Sequence, residues 1–207
     1  MTKLPRKFYN QPTLKVAKLL LGKFLVRKIG KRKVVGKIVE TEAYVGPKDL
    51  ASHASRGKTP RTEVMFGPPG HAYVYLIYGL NYCFNIVTER KDYPAAVLIR
   101  AVEPIEGIDL MYQHRKSIKR KKSIFNFSFL TFNLTNGPGK LCQAFKIDKK
   151  LNNADLTGNI LWVEDRGIKI SPKDIVATKR IGVDYAKEYK DKPWRFYIKG
   201  NKFVSKK

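Results

Sequence analysis

A helical pattern of apolar residues appears near the start of the chain, between Thr13 and Gly22. Its apolar positions are three or four residues apart, as they are on one face of an α-helix. A threonine before such a segment and a glycine after it are typical helix boundaries. The pattern predicts a short helix that Thr13 caps, that ends near Gly22 and that packs against the core.

From Lys23 onward the pattern is that of β-strands separated by turns. Two pairs of strands predict hairpins, one turning at Gly30-Lys31-Arg32 and one at Gly79-Leu80-Asn81. A long surface loop of the kind that often has a function is predicted over residues 46–70, where Gly, Pro, Ser and Thr predominate. The predicted strands are KFLVRKI, KVVGKIVETEAYV, HAYVYLIY, YCFNIVTE, AAVLIRAV, ILWVED and WRFYIKG.

Two further helices are predicted in the second half of the chain. One covers about Glu106 to Arg115, and the other, Asn136 to Phe145, is entered through Pro138. Helices and strands are mixed without the regular alternation that builds a parallel sheet. The predicted fold class is therefore α+β with an antiparallel sheet, and at 207 residues the chain is expected to form a single domain over 1–207.

Charge narrows the choice of partner, because 42 Lys and Arg stand against 17 Asp and Glu and give a formal net charge of +25. With 43% apolar residues, the chain does not have the composition of a disordered protein. Such an excess of positive charge favours a polyanionic partner, which would be DNA, RNA or an acidic membrane. No apolar run approaches the ~18 residues of a membrane-spanning helix, so the membrane is the weakest of the three.

Cysteine usage argues against a disulfide framework and a zinc site. Cys83 and Cys142 are far apart, and neither belongs to a C-x-x-C pair. The sequence also lacks a phosphate-binding P-loop and the motif of zinc nucleobase deaminases. We therefore expect no cofactor and no metal, two small buried cysteines, and a cytoplasmic location that would be nucleoid-associated in a bacterium.

A basic stretch begins at Arg115, and six of the eight residues from there to Lys122 are Lys or Arg. A solvated linker and an arm that contacts phosphates explain this composition equally well. Residues 116–133 are accordingly predicted to form a flexible, basic and Phe-rich insertion whose role stays open.

Two of the few acidic residues, Glu40 and Glu42, lie within one apolar strand. Alternation along the strand places them on one face together with Tyr44. Carboxylates in such a strand cost burial energy unless they are paired or used in chemistry. An edge strand with both carboxylates in water would avoid this cost. The alternative is that a glutamate beside a tyrosine faces a cleft and acts as a general base beneath an aromatic platform.

Four tyrosines fall within residues 73–82, around the second predicted hairpin turn. Aromatic side chains on a basic scaffold suit the stacking of nucleic-acid bases, although tyrosines on strands more often pack within a sheet. Tyr75 and Tyr78 are three residues apart, so alternation places them on opposite sides of the strand. One could line a pocket while the other projects from the hairpin tip into a nucleic-acid helix.

Five long segments follow one another along the chain: VETEAYVGPKDLASHASRGKTPRTEVMF, GHAYVYLIYGLNYCFNI, AVLIRAVEP, NGPGKLCQAF and PWRFYIKGN. In this order they resemble the alkyladenine (3-methyladenine) DNA glycosylase family of monofunctional base-excision enzymes. The resemblance extends from about Leu14 to Val204. It is interrupted, relative to vertebrate members, over residues 116–133 and at Leu80 and Asn81.

The resemblance implies a curved antiparallel sheet flanked by helices, from which a hairpin with Tyr78 at its tip enters the DNA minor groove. It implies a monomer that binds double-stranded DNA containing a damaged purine, flips out the base and hydrolyses its N-glycosidic bond. The implied substrates are alkylated or deaminated purines such as 3-methyladenine and 7-methylguanine, and whether uncharged hypoxanthine or ethenoadenine is accepted stays open.

Catalytic roles also follow from the resemblance. Glu42 would deprotonate the water that attacks the deoxyribose C1′. Arg100 and the backbone carbonyl of Ile181 would help to hold that water.

Binding roles follow in the same way. Tyr44, His53 and Tyr75 would sandwich the extruded base, and His53 would also hydrogen-bond to the base edge. Asn85 would crowd the position of a guanine 2-amino group. Tyr78 would fill the gap left in the DNA stack.

The main alternative function is a non-catalytic RNA- or ribosome-binding protein, for which the charge and the tyrosines would be equally natural. A second is a tRNA-binding accessory domain of a formyl-transfer enzyme. A pure binder has no use for Glu42, because a carboxylate repels phosphate. It would also not need Tyr44, His53 and Tyr75 to converge.

Overall fold

One antiparallel sheet of nine strands is the framework of this computed structural model, which describes residues 1–77, 79–115 and 131–206. The strands are β1 (Thr2–Lys3), β2 (Phe24–Ile29), β3 (Arg32–Tyr44), β4 (Ala72–Ile77), β5 (Asn81–Val87), β6 (Ala96–Glu106), β7 (Leu161–Asp165), β8 (Ile175–Thr178) and β9 (Arg195–Ile198). Their order is β1-β7-β2-β3-β6-β5-β4, and β9 pairs with both β3 and β8. The sheet curls into a half-barrel, so the predicted α+β class and curved antiparallel sheet are confirmed.

Short helices flank this sheet. Four α-helices lie wholly within the described ranges: α1 (Arg6–Tyr9), α2 (Thr13–Leu19), α3 (Ile108–His114) and α4 (Pro138–Ala144). Single turns of 3-10 helix lie at His53–Arg56, Glu63–Phe66, Lys149–Leu151, Pro172–Asp174 and Lys187–Asp191. None of the helices in these ranges is long and apolar enough to cross a membrane.

Both predicted hairpins are present. In the first, Ile29 of β2 faces Arg32 of β3 across the turn. In the second, β4 and β5 pair as far as Ile77 and Asn81. Tyr78 lies outside the described residues, while Leu80 in the same turn is 80% exposed.

Thr13 is the first residue of α2 and not its cap, so this detail of the prediction was wrong. Pro12 occupies the N-cap position and offers no side-chain hydrogen bond. The carboxylate of Glu89 caps the helix instead. Its Oε1 accepts hydrogen bonds from the backbone N–H of Thr13 at 3.1 Å and from the hydroxyl of Thr13 at 2.6 Å. The helix ends at Leu19, and Gly22 turns the chain into β2 with a left-handed φ of 82°.

Much of the predicted surface loop over residues 46–70 is folded against the sheet. Asp49 and Ala54 are fully buried. The backbone polar groups that such burial hides need partners, and the Asp49 carboxylate supplies two by accepting the N–H groups of Val45 at 3.0 Å and Ala51 at 3.1 Å. The segment is a loop without strand or α-helix, as predicted, and residues 56–61 are exposed, while two turns of 3-10 helix and the buried Asp49 add local order.

β3 runs through the interior of the sheet, where it pairs with β6, with β2 over its first half and with β9 over its second. Glu40 and Glu42 are each 0% exposed, so the interpretation of an edge strand with solvated carboxylates was wrong. The β3–β6 register contains three irregularities, at which Ile105, Val39 and Arg100 are passed over in the pairing. Bulges of this kind redirect side chains and are frequent beside active sites.

The main core forms where α2 and α4 pack against β3, β5 and β6. Gly36 of β3 lies within it, between Val102 of β6 and Phe145 at the end of α4. A Cβ atom at this position would lie 2.5 Å from Cγ2 of Val102 and 3.1 Å from Cζ of Phe145. The close approach of these elements therefore depends on the missing side chain.

We expect Gly36→Ala to lower the free energy of unfolding by ~1–3 kcal/mol, the usual effect of overpacking a filled core. Urea denaturation would measure it. Val102→Ala removes the methyl group at 2.5 Å but keeps the Val102 Cβ, which would lie 2.9 Å from the added atom. It therefore relieves part of the clash, and the double variant should be more stable than the sum of the two single effects predicts. Strictly additive effects would contradict the steric explanation.

Candidate active site

Glu42 lies in β3 at the point where the strand passes between β6 and β9. Both oxygens of its buried carboxylate accept hydrogen bonds. Oε1 accepts the backbone N–H of Ile181 at 2.8 Å, and Oε2 accepts the hydroxyl of Tyr44 at 3.0 Å. These donors hold the carboxylate in one orientation. The contact with Tyr44 agrees with the predicted common face.

Arg100 projects from its bulge in β6 towards both glutamates. Its Nη1 lies 3.3 Å from Oε2 of Glu42, and its Nε lies 3.3 Å from Oε1 of Glu40. Burial lowers the pKa of Arg100, but the charges of Glu42 and Glu40 outweigh burial and raise this pKa above its ordinary value. The carboxylate partners that a buried cation requires are thus both present.

A cavity of about 350 Å³ opens beside this cluster. The three residues that contact the Glu42 carboxylate all line it, whereas Glu42 itself lies directly behind this wall. The cavity has the size of a small-molecule site. Its walls include Tyr44, His53, Arg61, Tyr75, Cys83, Leu98, Arg100, Pro138, Ile181 and Tyr185.

Three aromatic rings form a contiguous cluster at this cavity. His53 meets Tyr75 edge to face, with ring centroids 4.5 Å apart, and Tyr73 lies 5.2 Å from Tyr75. His53 Nδ1 is 2.9 Å from the hydroxyl of Tyr73. Tyr44 lines the same cavity and has no ring-to-ring contact with this cluster in the part of the chain that the structure describes. The three residues predicted to sandwich a base therefore share one cavity.

The cluster is largely withdrawn from water, and its titration reflects this. Burial, aided by the charges of Arg61 and Arg56, lowers the pKa of His53 from 6.5 to about 4. Burial also raises the pKa of Tyr73 to about 12. The rings are thus uncharged at neutral pH, which leaves a neutral aromatic wall in a strongly basic protein.

Asn85 lies on β5 between Tyr73 of β4 and Leu98 of β6. Its Nδ2 donates to the backbone carbonyl of Tyr73 at 3.1 Å. The side chain also lines a small void of about 20 Å³ whose walls include Tyr44, His53 and Tyr75. Asn85 thus both satisfies a backbone group and faces the aromatic cluster.

Two sequence predictions fall on residues that the structure does not describe. These are the intercalating role of Tyr78 and most of the basic insertion, since residues 116–130 lie outside the described ranges. Beyond the gap, the ring of Phe132 lies 5.2 Å from that of Phe203.

Arg180 and Asp49, which were not predicted from the sequence, form a fully buried ion pair beside Tyr44. Asp49 is one of few acidic residues, and its place in the loop after Tyr44 was a weak signal. Arg180 is one of 42 basic residues and gave none.

The described residues hold no group of three or more His, Cys, Asp or Glu side chains that could bind a metal ion. Cys83 and Cys142 are both free and buried, as predicted. Cys83 lines the cavity from β5, and Cys142 lies in α4.

Comparison with known proteins gives a consistent result over the whole chain. The profile of the methylpurine-DNA glycosylase (MPG) family matches residues 7–202. A protein of Alkaliphilus oremlandii is 54% identical over 99% of this chain and 100% of its own length. Proteins of Desulfitobacterium hafniense and Methanocella arvoryzae are 51% and 52% identical over 100% of this chain and 100% and 98% of their own lengths. Each of the three is named "Putative 3-methyladenine DNA glycosylase". The chain belongs to the methylpurine-DNA glycosylase family.

Proposed function

We propose that this protein flips a damaged purine out of duplex DNA and hydrolyses its N-glycosidic bond with a water molecule that Glu42 activates. As a member of its family it is a DNA glycosylase, and the proposal concerns its substrates and its mechanism. The observation that supports it most is the buried carboxylate of Glu42 behind the wall of an aromatic cavity, with Arg100 beside it. A protein that only binds RNA has no use for such a carboxylate.

In the proposed reaction, the water oxygen forms a bond to the deoxyribose C1′ and gives a proton to Glu42. The N-glycosidic bond breaks, its electron pair leaves with the base, and an abasic site remains. Arg100 and Ile181 both line the cavity and both contact the carboxylate. Water reaches Glu42 between them, and the carbonyl of Ile181 helps to hold it. The cavity walls in the described ranges contain no lysine, which agrees with direct hydrolysis by water.

The proposed substrates are purines such as 3-methyladenine and 7-methylguanine, together with deaminated purines. An alkylated purine carries positive charge, which weakens its glycosidic bond and favours contact with electron-rich rings. Tyr44, His53 and Tyr75 would enclose such a base. The neutral state of His53 supports this, because a protonated imidazole would repel a cationic base.

Double-stranded DNA is the proposed partner, bound by a monomer. A net charge of +25 provides many phosphate contacts. The β4–β5 hairpin, whose Leu80 is exposed, would enter the minor groove. Tyr78 would fill the gap left by the flipped nucleotide.

Duplexes that each contain a single lesion test this proposal. After incubation with the protein, alkali cleaves the strand wherever a base has been released. We expect cleavage at 3-methyladenine and 7-methylguanine, and the panel includes hypoxanthine and ethenoadenine to define the range. A protein that binds these duplexes and releases no base would contradict the proposal.

We expect Glu42→Gln to retain lesion binding and to lose excision by ~10²- to 10⁴-fold, because an amide keeps the shape but cannot accept the proton. Single-turnover excision measures this. Glu63→Gln is the matched control, because it makes the same charge change at an exposed residue, two positions after Arg61 of the cavity wall. Excision by Glu42→Gln at the rate of the control would show that Glu42 is not the base.

Replacing Asn85 with Ser should raise the release of undamaged guanine, because a smaller side chain leaves room for the 2-amino group. One removed clash changes discrimination by ~1–3 kcal/mol, and excision of alkyladenine should change little. Because Asn85 also bonds to the carbonyl of Tyr73, thermal stability is measured in parallel. A stable variant that releases no additional guanine would contradict the steric role.

His53 should titrate near pH 4, well below the value of about 6.5 in the unfolded chain. Between these values the unfolded state binds the proton more tightly, so the stability that neutral His53 provides is present above pH 6.5 and lost as the pH falls towards 4. NMR titration of the imidazole measures the midpoint, with His53→Gln to assign the signal. A midpoint near 6.5 would contradict the buried, neutral state.

A further inference from the structure

The ion pair between Arg180 and Asp49 is the most completely buried one described in the protein, with both side chains 0% exposed. The contact is bidentate, since Nη1 of Arg180 lies 2.6 Å from Oδ2 of Asp49 and Nη2 lies 2.8 Å from Oδ1. Geometry of this quality fixes the orientation of both groups. Burying two charges nevertheless requires their removal from water, and such pairs often add little net stability. A role other than stability is therefore worth seeking.

The guanidinium of Arg180 joins three segments of the chain at one point. Its Nη1 donates to the carbonyl of Ala43 at 2.9 Å, and its Nη2 donates to the carbonyl of Tyr189 at 3.1 Å. The guanidinium carbon, Cζ, lies 4.9 Å from the ring centroid of Tyr44 and 5.1 Å from that of Trp194. Ala43 and Tyr44 are the two residues that follow Glu42 in β3.

Asp49 holds the loop that leaves this strand. Its carboxylate accepts the N–H groups of Val45 and Ala51, as described above, so it fixes the backbone next to Tyr44 as well as Arg180. The pair thus fixes Tyr44 through the carbonyl of the preceding residue, Ala43, through the face of its own ring and through the N–H of the following residue, Val45.

Both neutral donors on the Glu42 carboxylate depend on residues that this pair holds. One donor is the hydroxyl of Tyr44, whose ring packs on Arg180. The other is the backbone N–H of Ile181, the residue directly after Arg180. A displacement of Arg180 would therefore move one donor of each carboxylate oxygen.

We propose that Arg180 and Asp49 are positioning residues that set the orientation of the Glu42 carboxylate through Tyr44 and Ile181. The proposal rests on the proposed function, in which Glu42 is the general base. Arg180 is absent from the walls of the cavity, so its effect on the reaction is indirect. The chemical step, more than the affinity for damaged DNA, should depend on the pair.

Arg180→Lys and Arg180→Met test the proposal by single-turnover excision from a 3-methyladenine duplex, with the affinity for that duplex measured by fluorescence anisotropy. Lysine keeps the charge but lacks the planar fork that makes two parallel contacts and stacks on rings. We expect both variants to excise ~10²-fold more slowly, the effect that a misplacement of about 1 Å can have, with unchanged affinity.

Arg166→Lys is the matched control. Arg166 pairs with two carboxylates, Glu164 at 2.8 Å and Glu106 at 2.7 Å, and its carbon lies 4.6 Å from the ring centroid of Phe24. Like Arg180 it combines carboxylate pairs with a contact to an aromatic ring, and it is absent from the cavity walls. Its pairs are more exposed than that of Arg180, so we expect the control to lose less thermal stability and to excise at the wild-type rate.

Three results would overturn the proposal. The first is excision at the wild-type rate by folded Arg180 variants. The second is full activity of Arg180→Lys alone, which would indicate that only the charge matters. The third is a parallel loss of excision rate and DNA affinity. If the Arg180 variants do not fold, Asp49→Asn is measured instead, because the amide keeps an acceptor oxygen and removes the charge. If it does not fold either, the pair is needed for folding and the proposal is wrong. Wild type and Glu42→Gln are measured alongside, so a failure of the proposed function would appear in them independently of Arg180.

Discussion

The burial of two carboxylates in one central strand is the constraint on which the rest of this structure depends. Glu40 and Glu42 have no exposed surface, and each requires compensating positive charge. Arg100 lies between them, and Arg195 completes the balance with a contact of 2.8 Å to Glu40. The order of the strands brings both arginines to the two carboxylates. β9 pairs with the second half of β3 and supplies Arg195, while the bulge in β6 supplies Arg100.

Local patterns sufficed to predict most strands and both hairpins, because the alternation of apolar residues and the turn residues lie close together in the sequence. They also placed Glu40, Glu42 and Tyr44 on one face. They could not show which residues from distant parts of the sequence contact each other. Thr13, for example, does not cap α2, because the carboxylate of Glu89 accepts the backbone N–H of Thr13.

The candidate site was predictable in part for the same reason. Most residues singled out from the resemblance occur in the segments quoted for it, and four of these, Tyr44, His53, Tyr75 and Arg100, line one cavity. Ile181, which lies outside those segments, lines the same cavity. The bulge at Arg100 and the pair of Arg180 with Asp49 were not predictable, because each depends on the register or contact of segments that are distant in sequence. The pair joins residues that are 131 positions apart.

The hydrogen bonds of Glu42 also restrict where a reacting water can lie. An ionised carboxylate offers about four acceptor sites, two on each oxygen. On Oε2, the hydroxyl of Tyr44 occupies one site, and the guanidinium of Arg100 forms an ion pair with the same oxygen at 3.3 Å. On Oε1, the N–H of Ile181 occupies one, and one remains. In the proposed reaction the water therefore donates to Oε1, beside Ile181, while Tyr44 and Arg100 hold the other oxygen in place. The resemblance implies a role for the carbonyl of Ile181, and the structure adds the contact of its N–H with Glu42. In the proposed reaction the backbone of Ile181 therefore contacts both the general base and the reacting water.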